Sequence, residues 1–160
     1  MLGCRTFGRH GLTSHTVTPM NEPRQSFPYQ DFLDQFEEAI YWHIAWYSRG
    51  VRHLMFKLGA GEDLAAKDAH HNCKLGCFLH RFPTPPGCEA MVSQIGEMHE
   101  QMHTLMRQAL LEVRNGTPIS EDAFLEIEEA QSLFFGSLHG LFRKVLEDHC
   151  LQIAEAKAGR

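Results

Sequence analysis

The sequence predicts an all-α protein: an antiparallel four-helix bundle with a short inserted helix that carries a cysteine. Three observations point there. Apolar residues recur at spacings of three and four along three long segments, as one buried helical face requires. The connections between segments are brief and rich in Gly, Pro and Asn, which suits antiparallel neighbours. No stretch alternates apolar and polar residues as a half-buried strand would. The 160 residues, 43% of them hydrophobic, suffice for one packed core.

Residues 1–28 are rich in Gly, Thr, Ser, Pro and Arg and lack periodicity. They read as a flexible leader before a helical domain at 29–156, with Met20 an alternative start. The first helix begins near Asp31. Its stripe is Phe32, Phe36, Ala39, Ile40, His43, Trp46, Tyr47, Val51 and Leu54. It is expected to stop at "KLGAGED", where Gly59 and Gly61 offer C-terminal caps. One short helix follows, within "AAKDAHHNCKLGCFLHRF", and "PTPPG" ends it.

A third helix covers Cys88 to Arg114, with Met91, Ile95, Met98, His99, Met102, His103, Met106, Leu110 and Val113 facing inward. The dipeptide "NG" at 115 and 116 closes it. A fourth opens at "TPISED", with Ser120 as cap and Glu121 and Asp122 at the positive end of the dipole. Phe124, Ile127, Phe134, Leu138, Leu141 and Val145 form its inner face.

Composition removes several functional classes. A net charge of −5 without a basic stripe argues against nucleic acid as a partner. No apolar run approaches the roughly 20 residues of a membrane span, and the N-terminus lacks the apolar core of a secretory signal. Five cysteines at irregular spacing do not form a disulfide framework, and a reducing cytoplasm fits them. Eleven histidines are the anomaly.

Three of those histidines occupy apolar stripe positions: His43 on the first helix, and His99 and His103 one turn apart on the third. Side chains four apart on one face lie about 6 Å apart, close enough to share an ion. Buried separately, each ring would need its own hydrogen-bond partners. Cys73 on the short helix completes a His₃Cys set suited to tetrahedral zinc rather than calcium or magnesium, which prefer oxygen. Cys73 and Cys77 are four apart, so they do not form a C-x-x-C clip. A catalytic zinc would keep a position open for water, and four protein ligands argue against an enzyme. A hemerythrin-like di-iron bundle also uses HxxxH. It needs more inward histidines and carboxylates, and the fourth helix offers only His139 and His149, ten apart on a stripe otherwise apolar. The remaining histidines, including His53, His70, His71 and His80, read as surface residues, with His71 near enough to bond to the site.

Three quoted segments, "WHIAW" at 42–46, "HHNCKLGCF" at 70–78 and "HEQMH" at 99–103, resemble in order the motifs of the bacterial chemoreceptor zinc-binding (CZB) domain family. The resemblance spans residues 30 to 150. It implies that His43, Cys73, His99 and His103 bind Zn2+ in a helical bundle that forms homodimers. It further implies a sensory role toward a chemoreceptor or a diguanylate cyclase, answering zinc availability or oxidation of the zinc-bound cysteine; a purely structural zinc bundle is the alternative. Two positions depart from the family pattern: Phe78 stands where the family has Trp, and Cys77 where it often has a basic residue. No GGDEF motif occurs in the chain, so the resemblance describes a standalone module or a sensory fragment. On either reading the short helix, anchored by Leu75 and given close backbone approach by Gly76, is the part expected to move.

Overall fold

The computed structural model describes residues 27–58 and 61–159, so the leader lies outside the described residues except for 27 and 28. Five helices follow one another: α1 Tyr29–Phe56, α2 Ala69–Asn72, α3 Lys74–Arg81, α4 Glu89–Arg114 and α5 Glu121–Ala158. No strand occurs among the described residues. No helix among them is long and apolar enough to cross a membrane. The direction alternates from α1 to α3, α4 and α5. Phe78 of α3 and Phe82, its C-terminal cap, pack on Phe36 and Phe32 of α1, running back down it. Leu54 of α1 joins Leu110 of α4 at one end, where Ile127 of α5 also sits. Val145 of α5 lies in the other apolar group with Phe32 and Phe36. The result is an antiparallel bundle in which α2 and α3 together fill one of the four places.

Local chemistry sets the boundaries. Ser120 caps α5, its hydroxyl oxygen accepting from the Ala123 N–H at 3.2 Å, with Glu121 and Asp122 in the first turn. At the end of α4, Gly116 takes φ 89°, a left-handed conformation in which a side chain would be strained. The α1 terminus differs from expectation. Lys57, not a glycine, adopts the left-handed cap at φ 51°, and its N–H bonds to the His53 carbonyl. Gly59 lies outside the described residues, and Gly61 instead offers its carbonyl to the N–H groups of Leu64 and Ala65. That turn drops Leu64 into the core with no exposure at all, a buried residue that the loop composition did not announce.

The short helix also differs: it is two helices. Cys73 separates α2 from α3 with an extended backbone, φ −73° and ψ 160°. The two pieces fold back so tightly that a Cβ on Gly76 would sit 1.7 Å from the His70 carbonyl oxygen. Only a hydrogen fits there. Leu75, fully buried, and Phe78 then seat α3 against α1 and α4.

The core divides into two apolar groups. One is aromatic, built on Phe32, Phe36, Phe78, Ile95 and Phe134; the other is built on Leu54, Leu64, Met106, Leu110 and Ile127. Each fully buried Leu, Ile or Phe contributes about 1.5–3 kcal/mol by leaving water. The inward histidines lie where these groups meet.

Candidate metal centre

Each of the three inward histidines belongs to a stripe that would otherwise be apolar. His43, His99 and His103 are 1%, 2% and 4% exposed. α1 delivers the first and α4 the other two, one turn apart. Cys73 arrives from the break between α2 and α3, which aims its thiol inward. One ligand atom from each of His43, Cys73, His99 and His103 lies within 4.8 Å of all the others. Ligands of one tetrahedral zinc stand about 3.3–3.6 Å apart, so a small contraction would bring all four onto a single ion. The Cys73 Sγ to His99 Nε2 distance, 3.2 Å, is already slightly shorter than this.

Aromatic rings wall the group. Trp46 stacks on His103 with centroids 3.8 Å apart and lies 5.3 Å from His43. Phe134 of α5 closes the opposite side, 5.1 Å from His43 and 5.8 Å from His99. These walls exclude water and fix ring orientations.

The electrostatics follow from that dryness. Burial lowers the pKa of His43 to about 4. Burial, with the neighbouring imidazoles of His43, His70 and His71, lowers His99 to about 3. Burial, with His99, His43 and His70, lowers His103 to about 2. All three rings are therefore neutral at pH 7, with lone pairs available. Burial pushes the Cys73 thiol up, against backbone N–H groups of Gly76 and Leu75 that pull it down.

Both ring nitrogens of His43 and both of His103 are buried without a hydrogen-bond partner. A buried polar atom left unmet costs about 1–3 kcal/mol, and packed cores seldom tolerate several together. A shared cation would satisfy one nitrogen on each ring. The donor set, three imidazoles and one thiol, is borderline-soft and fits zinc. No carboxylate belongs to the group. His139 is exposed on α5 and His149 lies against Tyr29 at the far end of the bundle, so neither supplies the ligands of a di-iron centre.

The sequence reading missed two neighbours. Phe134 counted only as core, and nothing in the pattern separated it from Leu138 or Leu141. His70, taken for a surface residue, is partly shielded. Its carbonyl accepts from the Cys73 thiol at 3.6 Å and its ring centroid lies 6.3 Å from that of His103.

No family model and no curated protein matches the chain. Among solved structures, the regulatory CZB domain of DgcZ matches with a TM-score of 0.64 at 16% identity, over 74% of this chain and 98% of that one. At that identity the likeness establishes the fold: a CZB-like helical bundle.

Proposed function

We propose that residues 29–156, following the leader at 1–28, form a zinc-binding regulatory module that answers zinc availability or oxidation of Cys73 and passes the answer to a partner. One observation carries this reading. Three neutral buried imidazoles and a thiol converge from α1, α4 and the break between α2 and α3, on the fold of a domain described as regulatory. His43, Cys73, His99 and His103 would be the ligands. Zinc bound there supplies a cross-link between α1, α4 and the α2–α3 segment, and its binding free energy adds to folding. Four protein ligands leave no open position for a reacting water, which favours a sensor over an enzyme.

Cys73 is the ligand suited to respond. It alone sits on the short segment and is only partly buried, and a metal thiolate remains open to oxidation. Loss of its bond frees the short segment while the long helices keep their packing. The resemblance points to a homodimer and to a chemoreceptor or diguanylate cyclase as output, and the irregular cysteines fit a reducing cytoplasm. Tyr41 and Trp42, exposed side by side on α1, offer apolar surface for the dimer seam.

The test is metal content. Protein purified without a histidine tag is expected to carry one zinc per chain, and Cys73→Ala and His99→Ala are each expected to lose most of it. Zinc-free protein, or unchanged content in both variants, would sink the proposal.

A further inference from the structure

The segment that carries Cys73 also brings together two histidines on its outer face. His71 Nδ1 and His80 Nε2 are 3.2 Å apart, with rings nearly parallel at 19° and centroids 5.2 Å apart. Both residues are exposed. They are nine apart in sequence and come from different helices, so only the fold-back at Cys73 pairs them. That fold-back is held from inside: the Cys77 thiol donates to the His71 carbonyl at 3.6 Å, and Gly76 lies against His70. The backbone positions that bring the two rings within reach are therefore set by the fold-back itself.

We propose that His71 and His80 form a second, solvent-facing site for a divalent cation of the zinc type. Two nitrogens bound to one tetrahedral ion at 2.0–2.1 Å stand about 3.3 Å apart, close to the spacing already present. A single N–H···N bond joins the two rings. Such a bond, exposed to water, contributes little, so a cation displaces it easily. Imidazole nitrogens select zinc, copper or nickel over magnesium and calcium. With two protein ligands and water completing the shell, the site binds more weakly and exchanges faster than a buried four-ligand centre.

Its position suggests its use. The His71 ring lies 3.9 Å from that of His70, tilted by 41°, and the His70 ring lies 6.3 Å from that of His103. The Glu100 carboxylate stands 4.0 Å from His70 Nε2. A file of imidazoles thus runs from solvent toward the buried centre, and the outer pair stands at its mouth as a point of metal entry. The entry role, though not the outer site itself, rests on the zinc reading of the buried four.

Titration of metal-stripped full chain with zinc, followed by calorimetry, tests both. Wild type is expected to show a tight phase and a weaker one. The double variant His71→Gln/His80→Gln keeps the tight phase, loses the weak one and fills the tight site more slowly, while Cys73→Ala loses the tight phase alone. A weak phase that survives in the double variant, or is missing from wild type, overturns the outer site. An unchanged filling rate overturns the entry role. If the tight phase is missing but the weak one still depends on His71 and His80, the outer site stands and the buried centre falls.

Discussion

The long helices α1, α4 and α5 and the short α2–α3 segment both line the candidate metal centre, but they reach it by different means. The long helices α1 and α4 place His43, His99 and His103 on stripes that also carry fully buried residues such as Phe36 and Met102, and α5 faces them with fully buried Phe134. Their geometry follows from this packing. The short segment contributes one ligand from a twelve-residue stretch, 70–81, in which His71, Asn72, Lys74, His80 and Arg81 are exposed. Its hold on the bundle comes mainly from Leu75, Phe78 and the Cys73 contact. The two regions thus differ in how much of their surface is buried, the long helices forming the frame and the short segment lying on it.

The largest expected effect falls on the long helices. Phe134→Ala removes a fully buried ring that touches His43 and His99 and is expected to cost about 3–5 kcal/mol of global stability in urea unfolding. A loss below about 1 kcal/mol would mean that α5 is not part of the rigid frame.

Acid should act on the same frame. The folded pKa values of His43, His99 and His103 lie below the unfolded value of about 6.5. Their contribution is complete above pH 6.5 and is lost as pH falls toward the folded values. Each imidazole forfeits about 1.4 kcal/mol per unit in that range, or about 4 kcal/mol for the three at pH 5.5. Urea midpoints of metal-stripped protein at pH 7.5 and 5.5 measure it; equal midpoints would place the rings in contact with water.

Leu75→Ala sharpens the contrast from the other side. It deletes an equally buried side chain, but on the separable segment, so the expected cost is about 2 kcal/mol, the low end for such a change. Amide exchange should quicken within 69–81 and stay unchanged in α4 and α5. Uniform quickening would show that the segment and the frame unfold as one.

Much of the frame was legible because helical periodicity records burial directly. Phe32, Phe36 and Leu54, then Ile95 and Leu110, then Ile127, Leu138 and Val145 fall on the expected faces, and Ser120 and the Asn-Gly pair mark the expected ends. The convergence of His43, Cys73, His99 and His103 was legible for a related reason: polar rings on apolar stripes are out of place unless something joins them. The break at Cys73 left no such trace. Residues on both sides are helical, and one extended residue between them leaves the apolar pattern nearly unchanged. The pairing of His71 with His80 depends on that break and was hidden with it. The left-handed Lys57 and the buried Leu64 were missed because loop geometry depends on what the loop packs against.

The position of Cys73 at the start of α3 has a thermodynamic consequence. Its sulfur accepts the Gly76 N–H at 3.2 Å, so the atom that faces the imidazoles is also the atom that caps the helix. Eight residues are too few to stay helical in water, where isolated helices shorter than about 12–15 residues are marginal. Oxidation of the sulfur, or its withdrawal from the imidazoles, therefore weakens both the docking and the nucleation of α3 in one event. Deprived of both, α3 is expected to melt about two helical turns into coil rather than to swing out as a rigid arm.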